Sequence, residues 1–94
     1  MNIEIDGYIY NLIKDYREGF KKEEFLEKYT DYFKEYDYIV GDIAYGKLRL
    51  KGFYKKDNKK CTKINNIDNL DKYLSENCAY ECKYFILEKV LNIS

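Results

Sequence analysis

The strongest constraint on the fold is a hairpin signal in the middle of the chain. Residues 37–42 are rich in β-forming side chains, and residues 48–54 alternate between apolar and polar positions. Residues 44–47 form the turn between them, and Tyr45-Gly46 can be its two-residue loop, because glycine adopts a positive φ without steric cost. With this loop Asp42 lies opposite Arg49, and such a cross-strand charge pair contributes about 0.2–1 kcal/mol and helps to hold the register. The segment therefore predicts an antiparallel strand pair.

Three further strands are predicted around this hairpin. Asp6-Gly7 stands between alternating runs at 2–6 and 8–13, and Asp-Gly in this setting is a strong hairpin signal. Residues 83–91 carry an apolar run, which is typical of a central strand covered on both faces. Ile64 is expected to add a short edge strand.

Two helices are predicted between the strands. In residues 21–35 aromatic side chains recur every three or four positions, which places them along one stripe of a helix. A shorter helix is predicted at 67–77, begun by an asparagine or by Asp68, and residues 78–82 turn the chain into the last strand. The order ββ-α-ββ-α-β contains no repeated strand–helix–strand unit. It predicts an α+β fold, with a mainly antiparallel sheet and two helices.

The size and composition of the chain exclude several classes of protein. Its 94 residues suffice for one small domain, which we expect to span residues 1–94. The sequence has no histidine, which excludes Ser-His-Asp and Cys-His catalysis and histidine-ligated zinc. It contains no glycine-rich phosphate loop and no recognisable pair of catalytic carboxylates. We therefore expect a protein that is not an enzyme and that holds no cofactor or metal.

Nothing in the sequence resembles an export signal or a membrane span. The first six residues lack the basic and apolar regions of a signal peptide. The longest apolar run covers only residues 84–87, whereas a membrane helix needs about 20 residues. These features predict a cytoplasmic protein without a membrane partner.

Basic side chains are concentrated in the middle of a chain that has 17 basic and 17 acidic residues in total. Residues 47–63 carry eight basic side chains and a single acid, Asp57. Lysines neutralise phosphate and aromatic rings stack on bases, so we expect the segment 42–56 to bind RNA or a ribonucleoprotein. In the alternative interpretation the lysines are solvated and protect a sheet edge from aggregation. The sequence leaves open whether residues 55–63 are ordered.

The predicted binding residues combine anion contacts with aromatic groups. Arg49 and Lys51 are expected to contact the anion, and Tyr45 and Tyr54 to stack or pack. The full candidate set is Asp42, Tyr45, Arg49, Lys51, Tyr54, Lys55 and Lys56.

The helix at 21–35 supports a second functional hypothesis. It is acidic, and it could meet the basic surface of a protein partner or the basic hairpin of a second copy. The chain would then be an adaptor or a homodimer. The other interpretation is that these acids form the solvated face of an amphipathic helix.

The cysteines leave three interpretations open. Cys61, Cys78 and Cys82 are expected to be thiols, since the cytosol keeps cysteines reduced. Cys78 and Cys82 are four residues apart and share a face if the segment is helical. They could be buried structural residues, a redox pair, or part of a metal site, although too few ligands are present for zinc within one chain.

The central hairpin also carries a family resemblance. Asp37-Tyr38-Ile39-Val40-Gly41-Asp42, followed by Tyr45-Gly46-Lys47-Leu48-Arg49-Leu50-Lys51-Gly52-Phe53, resembles the YutD-like family of small bacterial proteins. Weaker support comes from residues 12–17 and from Cys78, Cys82, Tyr84 and Phe85. The family pattern has Trp-Gly where this chain has Ile43-Ala44, so the turn lacks one exposed aromatic ring.

The resemblance implies little about activity. It implies a cytoplasmic α+β domain from a low-GC Gram-positive bacterium, and it supplies no catalytic residue and no established biochemical activity. The positions that match the family signature are Asp42, Tyr45, Gly46, Arg49 and Lys51.

Overall fold

A computed structural model describes residues 1–5, 7–77 and 82–92. Its strands form one antiparallel sheet with the order β1-β2-β5-β3-β4, so the predicted α+β class is confirmed. The strands are β1 (Asn2–Ile5), β2 (Tyr8–Tyr16), β3 (Tyr38–Ala44), β4 (Lys47–Phe53) and β5 (Tyr84–Asn92). The helices are α1 (Lys22–Lys28) and α2 (Leu70–Asn77), with short 3-10 helices at Asp31–Glu35 and Ile67–Asn69. Within the described ranges no helix is long and apolar enough to cross a membrane.

The central hairpin forms in the predicted register. β3 and β4 pair from Tyr38 opposite Phe53 to Ala44 opposite Lys47, with Asp42 opposite Arg49. Since a one-residue slip would move every side chain to the opposite face, this register fixes which side chains of the hairpin are buried.

The last strand occupies the centre of the sheet, as its apolar run predicted. β5 pairs with β2 on one side and with β3 on the other. Phe85 and Leu87 are fully buried on one face. The two hairpins of the chain are therefore joined through its last strand.

The first hairpin is longer than the sequence indicated. The strand predicted at 8–13 continues to Tyr16, because residues 14–16 pair with Ile86, Phe85 and Tyr84 of β5. A register shift between Leu12 and Lys14 marks a bulge within it. Gly7 has the expected positive φ of 85°, whereas Asp6 lies outside the described residues.

The single helix predicted at 21–35 is wrong. α1 ends at Lys28, Tyr29 and Thr30 are extended, and a separate 3-10 helix follows. An extended residue advances about 3.3 Å against about 1.5 Å in a helix. The break therefore lengthens the aromatic stripe, so that Phe25 packs against Phe85 in the centre while Tyr36 reaches Tyr54 at the end of β4.

The second helical segment begins as predicted at residue 67. Its first turn is a 3-10 helix, and the Asn66 side chain accepts a hydrogen bond from the Asp68 backbone at 2.9 Å. The edge strand expected at Ile64 does not form there, because Ile64 lies in a turn. A single parallel bridge joins Asn66 to Tyr54 instead. The predicted turn at 78–82 lies outside the described residues except for Cys82.

The sheet has an apolar cluster on each face. The first face, covered by α1 and the 3-10 helix Asp31–Glu35, buries the larger cluster, which includes Tyr10, Phe25, Phe33, Tyr36, Ile39, Phe85 and Leu87. The second face is covered by α2 over β3 and β4, where Val40, Phe53 and Leu70 are buried with Tyr73 packed against them.

Two glycines of the β3–β4 hairpin make room for aromatic rings on the first face. A Cβ atom at Gly41 would lie 2.1 Å from the Phe85 ring, and one at Gly52 would lie 2.2 Å from the Tyr36 ring. Neither ring could keep its position if these residues carried a side chain. Gly52 therefore lets Tyr36 of the helical layer lie close to β4, and Gly41 lets the Phe85 ring of β5 lie across β3.

We predict that Gly41→Ala lowers the free energy of unfolding by about 3 kcal/mol, because overpacking must displace the buried Phe85 ring. Urea denaturation followed by circular dichroism measures this loss. Gly46→Asn is the matched control. Gly46 has a positive φ of 76°, and no atom lies within 4 Å of a Cβ added there. The control should therefore lose less than about 1 kcal/mol of unfolding free energy. Equal losses in the two variants would contradict the packing argument.

Candidate binding site on the central hairpin

The tip of the hairpin displays an exposed aromatic side chain in a strained conformation. Tyr45 has a φ of 54° and Gly46 has a φ of 76°, which together form a two-residue turn of the mirror-image type. Tyr45 is fully exposed, at 102% of its reference surface. A non-glycine residue in this left-handed region costs about 1–2 kcal/mol. The tyrosine is therefore held at a position that glycine or asparagine would occupy at lower cost.

A charge pair lies three residues from this tip. Arg49 Nη2 donates a hydrogen bond to Asp42 Oδ2, and this bond raises the pKa of Arg49. The Asp42 side chain is 1% exposed, whereas the Arg49 side chain is 44% exposed. Asp42 Oδ1 is also buried and accepts no hydrogen bond from the described residues. Asp42 is thus a structural anchor for Arg49, and only the arginine reaches the surface.

Lys51 lies against the second cluster of the core. Its Nζ is 5.3 Å from the centre of the Phe53 ring and 5.7 Å from the centre of the Tyr73 ring. A cation at this distance from a ring face is stabilised by the ring quadrupole. Lys51 therefore joins β4 to α2 and lies beside a surface groove rather than extending freely into water.

Tyr54 is in the core. It is 3% exposed, and its ring centre lies 4.7 Å from that of Tyr36. Burial raises the pKa of its phenol, and the nearby Glu35 adds to this effect. Tyr54 was predicted either to stack or to pack. In the structure it packs in the core, and its ring is not available to stack on a ligand.

Lys55 and Lys56 are exposed at the other end of β4, in a loop that is ordered by hydrogen bonds. The Lys55 backbone and the Asn58 side chain both donate to Asp37 Oδ2, at 2.8 Å and 3.0 Å. Lys60 pairs with Glu35 at 2.8 Å, which neutralises one loop cation. β4 has seven residues, so the loop and Tyr45 are separated by roughly 23 Å of strand.

The seven candidate residues thus do not form one patch. Tyr45 is at the tip, Arg49 and Lys51 lie along β4, and Lys55 and Lys56 lie beyond its far end, while Asp42 and Tyr54 are buried. The cations of the hairpin therefore do not surround an exposed ring.

A groove beside β4 contains residues that the sequence did not single out. One part, about 550 Å³, is bordered by Tyr32, Tyr36 and Arg49, and an adjacent part, about 620 Å³, by Lys63 and Lys72. These residues come from separate segments of the chain, so no local pattern could have brought them together. The only available signals were the aromatic spacing in 21–35 and the basic content of the loop.

The acidic helix of the second hypothesis is reduced to the seven residues of α1. Glu23, Glu24 and Glu27 are exposed on it. They form a solvated acidic surface above the first face of the sheet.

The cysteines differ from the expectation of three thiols. Cys61 is a free, half-buried thiol that packs against the larger cluster, whereas Cys82 is disulfide-bonded. Cys78 lies outside the described residues. In the part of the chain that the structure describes, no cluster of three cysteine, aspartate or glutamate side chains could hold a metal ion.

We predict that Arg49→Met lowers the free energy of unfolding by about 2–3 kcal/mol, because it leaves the buried Asp42 carboxylate without its cation. Lys47→Met is the control on the same strand. Lys47 is exposed and makes no ion pair among the described residues, so its change should stay within about 0.5 kcal/mol. Urea denaturation at pH 7 distinguishes the two, and an Asp42→Leu/Arg49→Met variant should recover part of the loss. No recovery would contradict the charge-pair argument.

Comparison with known proteins assigns the chain to a family. The family described as "Putative antitoxin YutD-like" matches residues 4–88. The chain is 43% identical over 88 residues to the "Putative antitoxin YutD" of Bacillus subtilis (strain 168), covering 94% of this chain and 97% of that protein. It is also similar to the solution NMR structure of protein yutD from B. subtilis, with a TM-score of 0.83, 39% identity and coverage of 100% of this chain and 86% of that chain. The chain therefore belongs to the YutD-like family.

Proposed function

We propose that this protein is a non-enzymatic antitoxin, which binds a protein partner and restrains it through the tip of the central hairpin. The name given to its B. subtilis relative supports a protein partner, since the word antitoxin implies a toxin on which it acts. The hairpin supplies the contact, and the rest of the fold holds it in place.

The observation that carries this proposal is the conformation of Tyr45. A fully exposed tyrosine in a left-handed turn costs stability without contributing to the core. Tyrosine has few rotatable bonds, so its ring covers a large contact area at low entropic cost. Tyrosine and arginine are also the residues most often found at the energetic centre of protein interfaces. Tyr45 is therefore suited to insert into a pocket of the partner.

The charge pair between Arg49 and Asp42 positions a second contact residue near the tip. Arg49 is held by Asp42 and presents part of its guanidinium at the surface, on the strand that leads from the turn. Its side chain is ordered before any partner arrives, so less entropy is lost on binding. Tyr45 at the turn and Arg49 on β4 together supply the proposed contact surface.

RNA is the second candidate partner. The loop 55–63 supports it, because Lys55, Lys56 and Lys59 are exposed within an ordered segment. Against it, the exposed ring of Tyr45 lies at the other end of β4 from this loop. A dedicated nucleic-acid binder usually carries a basic net charge, whereas this chain as a whole is neutral. The protein partner is therefore the better supported of the two.

We predict that a photo-crosslinking amino acid at position 45 captures one predominant protein in cells of the source organism. The partner identified in this way is then purified, and its binding is measured by calorimetry. Tyr45→Ser should weaken the Kd by at least tenfold, because it removes the exposed ring and leaves the rest of the fold unchanged.

Val90→Ala is the matched control for that measurement. Val90 is 50% exposed and lies near the end of β5 that is remote from Tyr45. The Kd of the Val90→Ala variant for the partner should therefore change by less than twofold. Partner activity should be suppressed by the unaltered protein and less by Tyr45→Ser. A crosslinked species containing RNA and no protein would establish the second candidate, and crosslinks only to other copies would establish self-association.

A further inference from the structure

The outer edge of β4 has a row of backbone groups beside which no strand lies among the described residues. β4 is the last strand in the sheet order. The two-residue turn makes Ala44 and Lys47 a hydrogen-bonded pair, and the alternation along an antiparallel ladder then directs the N–H and C=O groups of Leu48, Leu50 and Gly52 outward. Within the described ranges no other strand pairs with these residues.

The chain itself shows that this edge accepts a strand. At Tyr54, the next outward-facing position, the backbone N–H donates to Asn65 O at 2.7 Å and the backbone C=O accepts from Ile67 N–H at 3.0 Å. This parallel bridge ends after one residue, because the chain turns away at 63–65. The edge therefore remains open from Gly52 back to Leu48.

The groove described above runs along this open part of the edge. Its two parts share Lys51, Ile64 and Tyr73, so they form one continuous depression. Ile64 is 76% exposed beside it and adds an apolar side chain to the lining.

The two sides of the groove differ in chemistry. On the side of the first face, Tyr32, Tyr36 and Leu50 offer aromatic and apolar surface. On the side of the second face the lining is basic, with Lys51, Lys63 and Lys72 against a single acid, Glu76. A strand placed on the edge would direct alternate side chains to these two sides.

We propose that an extended segment of the protein partner adds a sixth strand to the β4 edge, with alternating apolar and acidic side chains. The apolar residues would pack against the tyrosines and the acidic residues would meet the lysines. The identity of the ligand as a partner segment rests on the proposed function. Strand addition uses backbone hydrogen bonds for affinity and alternate side-chain pockets for specificity.

A capped octapeptide of alternating valine and glutamate is the probe. Hydrogen exchange of the individual amides is followed by NMR at 0.1 M salt. We expect the outward amides of Leu48, Leu50 and Gly52 to exchange at least tenfold more slowly with the peptide, whereas those of Arg49 and Lys51, already bonded to β3, change little. A peptide with N-methylated alternate residues, which cannot form the ladder, should give no protection.

Charge variants test the basic side of the groove. Lys63→Glu/Lys72→Glu should weaken peptide binding by at least tenfold. Lys14→Glu/Lys21→Glu makes the same change in net charge at two other exposed lysines. This control should change the affinity for the peptide by less than twofold. A valine–lysine peptide should not bind the unaltered protein. All four substituted lysines are exposed, so neither variant disturbs the core. The NMR spectrum verifies that each variant is folded.

The outcomes separate this inference from the proposed function. Absence of the alternating protection with the peptide overturns strand addition. Protection by an oligouridylate in place of the peptide, or protection that rises with protein concentration alone, also overturns it in favour of RNA or of a second copy. In the complex with the crosslinked partner, protection at the tip without protection of Leu48 and Leu50 retains the proposed function and rejects the added strand. Protection of the edge by the peptide, with no partner captured at position 45, retains strand addition and rejects the proposed function of the tip.

Discussion

The structure depends on the hydrogen bonding of β5 to two strands that are distant in sequence. β2 and β3 each belong to a separate hairpin, and neither hairpin alone has enough sheet to bury an apolar face in water. Inserting the last strand between them creates a five-stranded sheet and buries Phe85 and Leu87 at its centre. The aromatic layer above, the placement of the β3–β4 hairpin and its open outer edge all follow from this arrangement.

The local part of the fold could be predicted because its determinants are adjacent in sequence. The register of β3 and β4 depends on Tyr45-Gly46 and the pairing of Asp42 with Arg49, both contained in eight residues. The central position of β5 followed from its apolar run. The break after Lys28 could not be predicted, since the aromatic spacing is equally compatible with one helix or two. The distance that the stripe must span is set by the width of the sheet, which no local pattern encodes.

The candidate site was predicted only in part, for a related reason. Counting charge along the sequence groups Arg49, Lys51 and Lys60 with Lys55 and Lys56, but charge alone does not indicate which cations are engaged. Arg49 is engaged by Asp42, Lys51 by the Phe53 and Tyr73 rings, and Lys60 by Glu35. Tyr73 and Glu35 each lie more than ten residues along the chain from the cation that they contact. The exposure of Tyr45 depends on the turn alone, whereas Tyr54 is buried through a contact with Tyr36, which is distant in sequence.

The two ring-accommodating glycines restrict how sequences of this family can diverge. Every single-base change that alters a glycine codon into that of another amino acid introduces a side chain, and at Gly41 or Gly52 that side chain meets an aromatic ring at about 2 Å. Neutral drift at either position is therefore blocked unless the ring opposite is replaced first by something smaller. Gly41 with Phe85, and Gly52 with Tyr36, are each expected to evolve as a linked pair. In any set of homologous sequences, loss of one member should accompany loss of the other.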